Sequence, residues 1–509
     1  MVLNMRRTKK TVIAAIIAAS FTLVGCSGGS SGGSPTGDNQ NASIQNETVV
    51  ALPEDIDNFD PHTNQLNTYL YAVRSLVFNG LVRYDASLNI EPDLATFDVN
   101  ADATVFTFEI DPEAVFHDGT SVNAEAVIAS FERAAGEENS IWAPRLADVA
   151  SYESPDEHTV VITLNDPNAA FLAGIVDISI IAPSNFEDVD SAPVGSGPYK
   201  FVSWEANQQI ELERFDNHFG EPSPTETIIY RPISDQQVAL NNLYSGSIDI
   251  IASASVNTRA QVDTDRAEII QPDASTSLSL IEFNSSGTLD DPQVRRALAH
   301  TLDKEAIQEV AYGGEGSLSY SPFAETSWAY TNVEDYEYDL QRAEDLLAEA
   351  GASDLTFTLE VPSGFPDAEQ IARVWQASLA EVGVSMTPEI NESSVWLDAY
   401  VSRDYDATWN VFNVGGDPHS FFDVIMTPHL DDDYDNPRMK ELIAEATSTS
   451  DQAKRADIYA ELQQVLVEEL PVMVVQSIPV ASIIADDVRG YEMNPLGWSL
   501  LDNVAVEQE

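Results

Sequence analysis

The side chains best suited to chemistry in this 509-residue chain are few: seven histidines and a single cysteine, Cys26. His419 and His429 stand ten residues apart, with Asp431, Asp432 and Asp433 just beyond. That is a grouping of metal-ligand types. In so acidic a chain, however, an acidic solvated loop carrying two histidines is the ordinary expectation, and that reading is adopted. Paired carboxylates recur throughout, so none singles out an acid/base pair. There is no GxxxxGK[ST] phosphate loop, GxSxG elbow, HExxH helix or EF-hand loop. The glycines at Gly313, Gly314 and Gly316 follow no strand pattern and make no phosphate cradle. No catalytic residue, metal ligand or cofactor is assigned, and the chain is not read as an enzyme.

Composition bounds the partners. The 24 basic residues against 84 acidic ones give a net charge of −60. Such a surface repels nucleic acid and anionic lipid headgroups. The charge is spread along the whole chain, which fits a heavily solvated surface suited to salt better than a funnel for cationic ligands. An apolar fraction of 43% is enough for real cores, and the length predicts two or three lobes.

The N-terminus reads as an export signal. Arg6, Arg7, Lys9 and Lys10 precede an apolar run over residues 11–24 that is too short to span a bilayer. Leu23-Val24-Gly25-Cys26 resembles the lipobox of bacterial lipoproteins, which implies cleavage before Cys26 and lipid on its thiol. Residues 27–44, rich in Gly, Ser, Asn and Asp, form a flexible spacer. With no second cysteine, the mature domain has no internal disulfide.

Helices and strands alternate from Glu47 onward. Residues 67–81 place Leu70, Val73, Val77 and Leu81 on one helical face, and residues 104–110 alternate as a half-buried strand. Asp235 opens a helix carrying Val238, Leu240 and Leu243 and ending at Gly246. Asp291-Pro292 supplies an N-cap and first-turn proline, and Gly351 stops the helix over 340–350. Residues 405–412 read as a strand leading into the loop NVGGDPHSFF. The pattern predicts an α/β protein with more than one sheet.

Six stretches, in order, resemble family 5 extracellular solute-binding proteins, the dipeptide-, oligopeptide- and nickel-binding components of ABC importers. They are NGLVRYDASLNIEPD (79–93), FEIDPEAVFHDGTSVNAEAVIASFERA (108–134), PVGSGPYKFVSWEANQQIELERFDNHFG (193–220), ALNNLYSGSIDI (239–250), FNSSGTLDDPQVRRALAHTLDKEAI (283–307) and GGDPHSFF (415–422). Together they span nearly all of residues 47–505.

The resemblance implies a type II periplasmic-binding-protein fold with an inserted third domain. Its expected divisions are a leader (1–25), lipidated Cys26 with linker (26–44), domain I (45–77, 191–276 and 476–509), domain II (78–190) and domain III (277–475). Hinge crossings are expected near 272–280 and 471–478. The resemblance also implies a monomer, lipid-anchored to the outer face of the cytoplasmic membrane, that delivers a solute to ABC permease subunits. Its implied ligand residues are Leu66, Asn67 and Thr68, then Trp409, Phe412, Asn413 and Gly415, with Asp417-Pro418 shaping the loop. Two departures stand out: Asn413 occupies the position of the family's amine-holding aspartate, and residues 360–365 lack the arginine that holds a dipeptide carboxylate. Asp111 stands where nickel-chelate binders carry an arginine. Peptide is the first expectation. A nickel chelate or other small solute such as an oligosaccharide is the rival within the family, and an exported hydrolase is the rival outside it.

Overall fold

A computed structural model of the chain describes residues 44–63, 68–333, 336–432 and 434–507. The expected leader, Cys26, the linker up to residue 43, Leu66 and Asn67 lie outside the described residues. No helix among the described residues is long and apolar enough to cross a membrane.

Three main sheets organise the chain. A seven-stranded mixed sheet runs in the order Ala267–Ile270, Ser482–Ala485, Ile250–Ile251, Glu47–Leu52, Thr227–Pro232, Gln209–Arg214, Tyr199–Glu205. Its strand Glu47–Leu52 is almost uniformly apolar because both faces are covered. Val50 and Leu52 pack to one side with Ile228 and Tyr230; Val49 and Ala51 pack to the other with Ile229 and Leu240. Inserted in this lobe is a four-stranded antiparallel sheet, Ala95–Val99, Val105–Ile110, Thr159–Leu164, Val149–Asp156. Here the expected alternation holds: Phe106, Phe108 and Ile110 are buried while Val105, Thr107 and Glu109 face outward.

The second lobe is built on a five-stranded sheet, Ser385–Asn391, Thr356–Pro362, Ala407–Asn413, Ser277–Phe283, Val472–Ser477. Helix Pro366–Glu381 covers one face through Ile371, Trp375 and Leu379. Helix Gln452–Glu469 covers the other through Tyr459, Leu462 and Leu466. The expected caps form: the Asp291 carboxylate accepts from the Gln293 amide, and Gly351 takes the left-handed conformation at φ 72°. In helix Gln236–Tyr244, Ala239, Leu240 and Leu243 turn inward while Val238 is 46% exposed.

The chain passes between the lobes twice, through residues 271–276 and 478–481. The second crossing falls later than expected, because residues 472–477 are wholly buried as the edge strand of the second lobe's sheet. Near these crossings Arg259 of the first lobe pairs with Glu315 of the second at 2.7 Å.

Candidate functional site

One cavity of about 480 Å3 has walls from both lobes. From the first lobe come Tyr71 and Arg74 of helix Thr68–Val77, Arg145 of the short helix Ala143–Leu146, then Asp148, Phe171, Asp177 and Trp498. From the second come Phe412, Asn413, Gly415, His419, Asp423 and Val424. A further cavity of about 470 Å3 shares Tyr71, Arg74, Tyr84 and Asp177 but takes no residue from the second lobe. In it, burial pushes the Asp93 carboxyl up to about 7 despite Arg83 nearby. A third cavity, of about 510 Å3, lies at the lobe crossings, lined by Pro272, Ser275, Glu315 and Ile478; the first is the candidate site because Phe412, Asn413 and Gly415 line it.

The second lobe's wall is set by where its strand ends. Ala407, Thr408 and Trp409 are buried in the sheet, and the strand becomes open from Asn410 to Asn413. Phe412 and Asn413 thus reach the cavity. Trp409 does not: it is 1% exposed, its indole N–H donates to Ser279 Oγ at 2.8 Å, and its ring lies 5.4 Å from that of Phe365. The expectation that Trp409 faces the ligand is corrected on this point. Of Thr68, the structure describes only its place at the start of helix Thr68–Val77.

The loop after the strand is locked by Asp417. Arg455 grips it with both terminal nitrogens at 2.7 and 2.8 Å, and the His419 amide donates to Oδ1 at 2.9 Å. Such a bidentate pair fixes direction as well as distance. Asp417 thereby shapes the loop, and its charge is already matched. A π-helical turn follows, Phe422–Met426, with Phe422, Ile425 and Met426 buried and Asp423 and Val424 facing out. Turns of this kind often mark functional sites because they rotate side chains off the regular helical face.

The histidines are not in a solvated loop, contrary to expectation. His429 is fully buried, its Nε2 2.9 Å from Glu282 Oε2, and Asn410 donates to the other Glu282 oxygen at 2.7 Å. His419 lies on the cavity wall with Nδ1 buried and lacking a hydrogen-bond partner. Burial pushes the His419 ring toward its neutral form, against the opposing pull of Asp417 and Asp423. Among the described residues no group of three His, Cys, Asp or Glu is placed to hold a metal ion.

On the first lobe's wall, Arg74 is paired with Asp177 at 3.1 Å and lies 5.1 Å above the Tyr71 ring, which itself stacks on Trp498 at 3.7 Å. Arg145 rests on the Trp142 ring at 5.1 Å. Arg74, Arg145, Asp148, Asp177, Asp423 and Trp498 carried no sequence signal; the short segments bearing them converge only through the topology.

The lobes touch around the cavity. The Gly416 amide donates to Tyr84 Oη at 3.2 Å, and the Ala169 amide donates to the Thr447 carbonyl at 2.8 Å. A Cβ on Gly416 would lie 2.4 Å from the Leu88 carbonyl oxygen and 2.6 Å from Tyr84 Cε1. Glycine there allows the two backbones to meet.

Comparison with known proteins places this geometry. The family model for bacterial extracellular solute-binding proteins, family 5 (middle region), matches residues 89–431. Heme-binding protein A of Haemophilus influenzae is 26% identical, covering 97% of this chain and 98% of that one. The dipeptide-binding protein of Escherichia coli is 25% identical, covering 92% and 96%. The structure of the periplasmic binding protein DppA from Helicobacter pylori, in complex with the peptide STSA, superposes with a TM-score of 0.79 at 23% identity, covering 91% and 99%. This last likeness shows the fold, the two-lobed α/β architecture of the type II periplasmic binding proteins. The chain belongs to the bacterial extracellular solute-binding proteins of family 5.

Proposed function

We propose that this protein captures a peptide in the cleft between its lobes and delivers it to the membrane permease of an ABC importer. The observation that carries the reading is the cavity itself: about 480 Å3, walled by both lobes, in a chain whose lobes already touch at Gly416 and Thr447. A volume in this range suits a small ligand largely removed from water. Binding needs no bond chemistry, only a ligand that favours the closed form over the open one. Several of the relatives are peptide-binding proteins by name, which supports peptide over other solutes.

In this reading Phe412, Asn413 and Gly415 contact the ligand, together with Leu66, Asn67 and Thr68. Cys26 carries lipid and keeps the monomeric protein at the outer face of the cytoplasmic membrane. Residues 45–77, 191–276 and 478–509 form one domain, with 78–190 and 277–477 as the others. A nickel chelate is the second reading, because His419 lies on the cavity wall.

The test is to denature the purified protein and identify what it releases by mass spectrometry. A short peptide is expected. A nickel chelate or sugar would redirect the assignment within the family. If nothing is released, and peptides, nickel complexes and sugars all fail to raise the melting temperature, the capture reading fails. Cleavage of added peptide would indicate a hydrolase instead.

A further inference from the structure

The cavity wall holds more charge than its own ion pairs consume. Asp177 is taken by Arg74 at 3.1 Å and Asp417 by Arg455 at 2.7 Å. That leaves Arg145, Asp148 and Asp423. Among the described residues no carboxylate comes within ion-pair distance of Arg145; its only polar contact is a long one, from Nη1 to the Gly174 carbonyl at 3.4 Å. A guanidinium left unpaired in a cleft of a chain with 84 acidic residues is unusual by composition alone. Asp148, in the turn after the Ala143–Leu146 helix, is on the same wall and is occupied in part by the Asp166 amide at 3.3 Å. Asp423 is on the opposite wall, exposed from the π-helical turn, with no ion pair or hydrogen bond of its own among the described residues. Between these charges the wall is apolar: Phe171, Phe412, Val424, Leu496 and Trp498.

We infer that the cleft takes a peptide with both ends free, its carboxylate on Arg145 of the first lobe and its amine on Asp423 of the second, with an apolar side chain between. This rests on the peptide reading above. Each end then grips a different lobe, so the ligand's own charges favour the closed form. It also accounts for the two departures in sequence. The amine anchor missing at Asn413 is supplied ten residues later, and the carboxylate anchor missing from residues 360–365 is supplied from the other lobe.

The experiment is equilibrium dialysis of the full chain against an equimolar synthetic library of di- to pentapeptides. The library is offered in free, N-acetylated and C-amidated forms, and retained species are counted by mass spectrometry. Free peptides with an apolar residue should be retained about 10- to 100-fold over either blocked form, the range for losing one charge-assisted anchor. Arg145→Gln should erase the preference for a free carboxylate and leave that for a free amine; Asp423→Asn should do the reverse. Both variants should keep the parent melting temperature. Blocked and free peptides retained equally would overturn this inference and leave the peptide reading intact. So would variants that weaken all forms alike. No peptide retained in any form would overturn the peptide reading and this inference with it.

Discussion

Substituting Gly416 by alanine should weaken ligand binding without unfolding the protein. Gly416 does not lie in the left-handed region, so alanine meets no backbone penalty of its own. The obstacle is the other lobe: the new methyl would stand 2.4 Å from Leu88 O and 2.6 Å from Tyr84 Cε1. Leu88 cannot easily retreat. It sits at φ 63° in a tight turn, where the Asp85 carboxylate accepts from the Ser87 and Asn89 amides at 2.8 Å each. Relief must come from the lobes separating. Overpacking of this kind costs about 1–3 kcal/mol. Levied on the closed form alone, that is roughly a 5- to 150-fold rise in Kd. Titration calorimetry with the released ligand measures it, and thermal melting without ligand controls for folding. Unchanged affinity in a folded Gly416→Ala protein would refute the reasoning that this contact forms when ligand is held.

Other outcomes follow from the same geometry. Tyr84→Phe removes the hydroxyl that accepts the Gly416 amide; losing one neutral hydrogen bond of about 0.5–1.5 kcal/mol should raise Kd roughly 2- to 12-fold by calorimetry. Arg455→Met leaves Asp417 buried without its partner, since the side chains are only 7% and 12% exposed; denaturant melts should show about 3–5 kcal/mol of lost stability. Burial lowers the His62 ring to about 4 from an ordinary 6.5. The unfolded chain therefore takes up a proton that the folded chain refuses, and stability present above pH 6.5 is lost as pH falls toward 4. Over that window the parent should lose about 3 kcal/mol more than His62→Gln, read from urea melts at each pH.

What was legible in the sequence was local. Asp291-Pro292 started its helix and Gly351 stopped another as their capping chemistry requires, and the alternation at 105–110 named its buried face correctly. Phe412 and Asn413 came from the family resemblance alone; both line the cavity because the strand leaves the sheet near its end. Trp409 was misplaced for the same reason in reverse: only three residues earlier, the strand is covered on both faces. His429 looked like a loop residue because its partner, Glu282, hides in an apolar strand 147 positions away. Arg145 and Asp423 could not be paired from sequence at all, since 277 residues of chain intervene and only the lobe arrangement sets them on facing walls.

The central claim is that the lobes close on a captured peptide. Spin labels at Asp102→Cys and Ser448→Cys, in a Cys26→Ser background, flank the contact where Ser450 Oγ reaches the Ala101 carbonyl across the lobes. Pulsed electron–electron resonance between them reports the separation directly. The account predicts a broad distribution without ligand that collapses to a single short distance with peptide, and that stays broad in Gly416→Ala. One unchanged distribution, with calorimetry confirming that peptide is bound, would contradict it.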